Sequence, residues 1–160
     1  IYETINKINA NVVFLRHTLA PGMGDPKNFK LKDCSTQRNL DTVGRRQAEE
    51  LGNLFRHNKV NFDEILSSEW CRCKETAALM QLGRWKTFLG LNSFFEGYVN
   101  KKKTLSVLKQ KLNLIESDKL VLMITHQVVI SAVTGKFVGS GEMVFYNSET
   151  GISEYFKRQK

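Results

Sequence analysis

The chain has 160 residues, 41% hydrophobic and 25% charged, which suits one packed core of ordinary globular composition. Its longest apolar run, residues 120–125, is strand-sized and far below the roughly twenty residues that cross a bilayer, so no membrane span is expected. Twenty-four Lys and Arg against sixteen Asp and Glu give a net charge of +8, which favours phosphorylated metabolites, nucleic acid or acidic membrane surfaces without choosing among them.

In chain order, the first element is Asn11-Val12-Val13-Phe14-Leu15-Arg16-His17-Thr18. Four consecutive apolar residues predict a strand over 12–15 buried on both faces, as in a parallel sheet. Arg16 and His17 then stand at its carboxyl end, the edge where open α/β sheets bind ligands. Residues 22–32 are polar and contain Gly and Pro, a loop long enough to act beside that edge. Gln37-Arg38-Asn39 adds possible anion contacts, or simply a surface loop. A helix is predicted over 43–57, where Ala48, Leu51, Leu54 and Phe55 repeat at helical spacing and His57 is a C-terminal cation. A strand over 64–67 follows, then a helix over 69–82 that Ser68 caps, with Arg72 in its opening turns. A strand over 87–91, a helix over 104–116 and a strand over 120–125 come next. That last strand also ends in a histidine, His126, and feeds a helix over 127–133. Strands over 143–146 and 152–156 complete the pattern. Alternating short apolar strands and helices predict an α/β fold with a mainly parallel sheet.

Lys101, Lys102 and Lys103 open a helix with Leu105, Leu108, Leu112 and Ile115 on one face. They read as a solvated helix entrance, since no aromatic residues are interleaved for base stacking, and no nucleic-acid partner is expected. Lys157 to Lys160 read as a frayed tail. The cysteines, Cys34, Cys71 and Cys73, allow at most one internal disulfide. Cys71 and Cys73 point in different directions on a helix, and either can reach Cys34. Paired CxxC spacing of a structural zinc module is missing, and neither Cys34 nor Cys71 has an arginine at the spacing of a thiolate anion loop. The chain starts at Ile1, which together with a possible disulfide leans towards an exported protein, with the cytoplasm open.

Three strand exits thus supply Arg16-His17, Arg72 and His126. This ordered set resembles the histidine phosphatase superfamily, in its phosphoglycerate-mutase-like branch. The resemblance rests on Arg16-His17, on Leu40-Asp41-Thr42-Val43-Gly44-Arg45-Arg46-Gln47-Ala48, on Ser68, Arg72, Thr76 and Ala77, and on Thr125-His126. It runs from about Val12 to Thr134. It implies a three-layer α/β/α sandwich over one domain, residues 1–160, and phosphomonoester hydrolysis through a phosphohistidine on His17. Arg16, Arg72 and His126 would hold the phosphoryl oxygens, with Thr18, Gln37 and Arg38 as further substrate contacts. Neither metal nor other cofactor is implied, and the partner is a small phosphorylated substrate; the oligomeric state stays open. Where the family places a Leu-x-Glu proton donor, this chain has Leu91-Asn92-Ser93-Phe94-Phe95-Glu96. The donor would then be Glu142, which follows Gly139-Ser140-Gly141, with Glu96 and Asp25 as alternatives. The resemblance also brings Cys34 near Cys71 or Cys73 for a disulfide. Phosphomutase, protein-phosphohistidine phosphatase and a phospho-ligand-binding pseudoenzyme are the competing readings.

Overall fold

Val12, Val13, Phe14 and Leu15 have no exposed surface, and the computed structural model, which describes residues 1–156, shows why. They form β1 (Val12–Arg16), which lies between β4 (Val121–Thr125) and β5 (Met143–Tyr146). Outward from β4 come β2 (Glu64–Ser67) and β3 (Lys86–Thr87), and outward from β5 comes β6 (Ser153–Tyr155). The pairs β1–β4, β2–β4 and β2–β3 are parallel, while β5 pairs antiparallel with β1 and β6. The sheet is therefore mostly parallel, as the sequence predicts. Its tail, residues 157–160, lies outside the described residues.

Successive β1 side chains point to opposite faces, and each face has its own helices. Val13 and Leu15 pack with Leu51 and Phe55 of α2 (Thr42–His57) and with Ala77 and Met80 of α3 (Cys71–Met80). Ile8 of α1 (Tyr2–Ile8) joins that side. Val12 and Phe14 pack with Leu108 and Leu112 of α4 (Lys101–Leu114) and with Val129 and Ile130 of α5 (Gln127–Thr134). Burying one side chain of this size contributes about 1.5–3 kcal/mol, so these two layers carry the fold. Asp41 caps α2 by accepting the Gly44 N–H at 2.7 Å. Asn100 caps α4 through the Lys103 N–H at 2.9 Å, and Lys101 to Lys103 stay exposed.

Three elements depart from the sequence reading. Helix α1 was not expected. The predicted strand over 87–91 pairs only at Lys86 and Thr87, after which Leu89–Leu91 turns as a 3-10 helix and buries Leu91. Ser68 does not cap α3, because Trp70 is extended and the helix starts at Cys71. Instead the Ser68 hydroxyl accepts the Trp70 N–H at 3.1 Å and faces His126.

Candidate active site

Sheet register brings the two histidines together. Arg16 pairs with Thr125 across β1 and β4, and the His17 N–H donates to the Thr125 carbonyl at 3.0 Å. The next residue on each strand is a histidine, and the two rings stand 5.5 Å apart, edge to face. Because β2 pairs with β4 on the other side, the chain leaving Ser67 delivers α3 to the same edge. Gly52 of α2 lets α3 approach closely: a Cβ there would lie 2.0 Å from the Met80 carbonyl oxygen. Arg72, the second residue of α3, is thereby fixed beside His17.

His17 is 2% exposed. Its Nδ1 is 2.8 Å from the Thr18 carbonyl oxygen; a carbonyl only accepts, so Nδ1 carries the hydrogen. That leaves a lone pair on Nε2, towards which Arg72 Nε donates at 3.2 Å. Burial, and then the Arg72 charge, push the imidazole well below its ordinary value, with the Thr18 hydrogen bond opposing. His126 is pushed the same way, by burial and then by the Arg72 and His17 charges. Its Nε2 shares a hydrogen with the Ser68 hydroxyl at 2.8 Å. Both rings are therefore neutral near pH 7.

Three guanidinium groups share the site with one buried carboxylate. Arg72 forks onto Asp25, Nη1 to Oδ1 at 2.9 Å and Nη2 to Oδ2 at 3.3 Å, with both side chains 4% exposed. Asp25 also accepts the Trp70 Nε1–H at 3.1 Å and the Arg38 N–H at 3.0 Å. Burial favours its neutral acid, but the Arg72 hydrogen bonds, the Arg38 N–H and the Arg72 charge outweigh burial and leave the carboxyl below its ordinary value. Arg38 donates through Nε to the Gly24 carbonyl at 2.7 Å and through Nη1 to the Ala20 carbonyl. Burial and the nearby Arg72 charge lower its guanidinium to about 10, so it stays charged at neutral pH. Arg16 Nη1 donates to the Val138 carbonyl at 2.9 Å.

Arg16, His17, Arg38, Arg72 and His126 line one cavity of about 280 Å³. Among the described residues, two buried side-chain polar atoms have no hydrogen-bond partner, Arg16 Nε and His126 Nδ1. Both residues line this cavity. A buried polar atom without a partner costs roughly 1–3 kcal/mol.

The other expected site residues fall elsewhere. Glu142 does not line the cavity; it is exposed and accepts the Gly139 N–H at 2.5 Å. Gln37 is buried and spent on backbone, with Nε2 donating to the Lys30 and Leu31 carbonyls and Oε1 accepting the Cys71 N–H. The Thr18 hydroxyl faces that of Thr76 at 3.2 Å, outside the cavity wall. Glu96 is exposed, with its carboxylate against Gly24. Ser93 does line the cavity. Sequence reasoning missed Trp70, which holds Asp25, and Asn92, whose Oδ1 accepts the Glu69 N–H at 2.8 Å. Trp70 sits inside the Ser68–Arg72 spacing, which was the available signal.

Cys34 and Cys71 form the disulfide, with Cα atoms 5.8 Å apart. Cys73, two residues on, turns inward instead, its Sγ 3.6 Å from His126 Nε2. Burial pushes that thiol up to about 12. Among the described residues no group of three or more His, Cys, Asp or Glu is arranged to hold a metal ion, and no helix is long and apolar enough to cross a membrane.

The model of the histidine phosphatase superfamily (branch 1) matches residues 12–89. No curated protein shows a significant sequence match to the chain. The structure of the protein histidine phosphatase SixA complexed with tungstate is similar, with a TM-score of 0.58 at 18% identity over 91% of this chain and 94% of its own. A mycobacterial glucosyl-3-phosphoglycerate phosphatase gives 0.59 at 13% identity over 84% and 88%. Phosphoglycerate mutase from Plasmodium falciparum gives 0.56 at 15% over 92% and 88%. Residues 12–89, which carry Arg16, His17 and Arg72, match the model of the histidine phosphatase superfamily (branch 1), and the chain as a whole has a phosphoglycerate-mutase-like fold.

Proposed function

We propose that the protein hydrolyses phosphomonoesters through a covalent phosphohistidine on His17. The observation that carries this is the convergence of Arg16, His17, Arg72 and His126 on one cavity, with His17 Nε2 free of its ring hydrogen. The His17 Nε2 lone pair attacks phosphorus, and the bond to the leaving oxygen breaks. Arg16, Arg72 and His126 hold the three remaining oxygens as charge shifts onto them. The Thr18 carbonyl on Nδ1–H keeps the attacking tautomer and stabilises the positive charge the ring gains. Water then attacks phosphorus, the N–P bond returns its electrons to Nε2, and inorganic phosphate leaves. The similar SixA phosphatase structure is complexed with tungstate, which supports an oxyanion as the ligand here. Surplus positive charge matches a phosphoryl dianion.

The test is acid-free quenching with a radiolabelled phosphomonoester, followed by acid and base treatment and peptide mapping. Acid-labile, base-stable phosphate on His17, absent from His17→Ala, is the expected result, with turnover surviving EDTA. Phosphate binding retained by His17→Ala, with no ester ever hydrolysed by the wild type, would instead make this a phospho-ligand-binding module.

A further inference from the structure

We infer that the mouth of this cavity is a subsite for an aromatic leaving group, so that the preferred substrates are aryl phosphomonoesters. The inference deepens the phosphatase reading and rests on it. Three features of the mouth agree.

The first is its chemistry. Below are guanidinium groups and imidazoles, but the rim is Met23, Phe95 and Val128. Met23 is 86% exposed and Phe95 42% exposed, so apolar surface is held in water beside a site for an anion. Neither is a loose end. Met23 sits between Gly22 and Gly24, whose φ values of +99° and +68° set a turn that a side chain at either position would strain. Arg38 ties that turn down through the Gly24 and Ala20 carbonyls. On the other side, the Phe95 N–H donates to Ser93 Oγ at 3.2 Å, and the left-handed Glu96 that follows, with φ +64°, bends the chain away.

The second is that the polar groups at the mouth are spent. Gln127 Nε2 donates to the Lys136 carbonyl at 3.3 Å, and its Oε1 accepts the Val138 N–H at 2.7 Å. One Gln127 Nε2 hydrogen and the Ser93 hydroxyl are all that remain among these side chains to recognise sugar hydroxyls or a second anionic group. A site that discriminates among polar substrates does so through such hydrogen bonds; this mouth offers apolar contact in their place.

The third is that no carboxylate is among the side chains lining the cavity, that of Glu96 lying outside against Gly24. Both Asp25 oxygens are taken by Arg72, Arg38 and Trp70. An aliphatic alkoxide is too basic to leave without a proton, whereas a phenol ionises near pH 10, about that of tyrosine. As His17 Nε2 bonds to phosphorus, the P–O bond breaks and the aryl oxygen departs with the electron pair, to be protonated by water at the open mouth. Water then releases phosphate from Nε2, so the balance is ester plus water to phenol plus inorganic phosphate.

Naphthyl, phenyl and glycerol phosphates, compared by kcat/KM in wild type and in Met23→Ser/Phe95→Ser, test this. We expect wild type to favour naphthyl over glycerol phosphate by about 100-fold or more, and the double variant to cut that ratio about tenfold. Inorganic phosphate, which occupies the cationic base alone, is used as a competitor to check that the base is intact. Met23→Ser alone, at a solvent-facing position, keeps the comparison available if the double variant misfolds. An unchanged ratio, or a wild type that favours glycerol phosphate, overturns the aromatic subsite while leaving the phosphatase reading standing. No phosphate released from any of the three esters removes both.

Discussion

Asp25 is the residue that decides how Arg72 meets a ligand. Its carboxylate occupies both terminal nitrogens of the guanidinium, so the Nε edge is the one left facing His17. Read from the sequence, Asp25 is one of three carboxylates that could protonate a leaving group; in the structure it accepts four hydrogen bonds and anchors an arginine. Removing one partner of a buried ion pair strands the other, at a cost of about 3–5 kcal/mol. Asp25→Asn keeps the shape and loses the charge. It is expected to lower the thermal midpoint by several degrees and kcat by about tenfold or more, since a misplaced electrostatic donor costs at least that much. Thermal unfolding and steady-state kinetics measure both, and a variant with wild-type kcat would remove Asp25 from the positioning of Arg72. Arg16, His17, Arg72 and His126 were legible because each adjoins a buried strand or a helix start. The Asp25–Arg72 pair spans 47 residues, and no local pattern announces a contact that only the folded loop creates.

Between elements, the spacing of α2 and α3 sets the position of Arg72. Gly52 is the point of contact, and a methyl there meets the Met80 backbone carbonyl, which cannot rotate aside. Gly52→Ala is expected to destabilise by about 1–3 kcal/mol, the usual range for overpacking, and to lower kcat as α3 shifts. Glu49→Ala against Glu49→Gly, at an exposed position of the same helix, is the control for helix propensity, and urea unfolding compares them. The disulfide joins the loop that carries Asp25 and Arg38 to the first residue of α3, closing 37 residues. In the chain-entropy model such a loop contributes about 3–4 kcal/mol. Thermal midpoints with and without dithiothreitol should differ accordingly, and Cys34→Ser/Cys71→Ser should match the reduced wild type in either buffer. Helix α1 has its signal in Ile1, Ile5 and Ile8, which repeat at helical spacing and face the core. The short β3 carried none: Phe88, Leu89 and Leu91 look like a strand by type, and only the need to bury Leu91 beneath α4 turns them into a helix.

Across the whole molecule, stability and protonation are linked through the site. His17 and His126 are neutral when folded, because burial and the neighbouring Arg72 charge disfavour their imidazolium forms. In the unfolded chain they take protons near pH 6.5. Below that pH the unfolded state holds more protons, so stability falls as pH falls, until the folded-state values are reached. Asp25 acts in the same direction at lower pH: its carboxyl is lowered on folding, so its contribution is present above the unfolded value and lost as pH drops through the folded one. The urea midpoint should therefore decline from about pH 6.5 downward, at up to about 1.4 kcal/mol per pH unit for each histidine. A midpoint that stays flat between about pH 7 and 5 would show that these imidazoles are not neutral in the fold. Cys73 gives this cooperative unit a witness. With Cys34 and Cys71 bonded to each other, it is the one thiol the chain has to offer, and it lies sealed between α3 and β4 with its proton held fast. A thiol reagent added to the oxidised protein has nothing to modify until the sheet and its helices part. With reagent in enough excess to outpace reclosing, the rate at which the protein is labelled is then a clock of its openings.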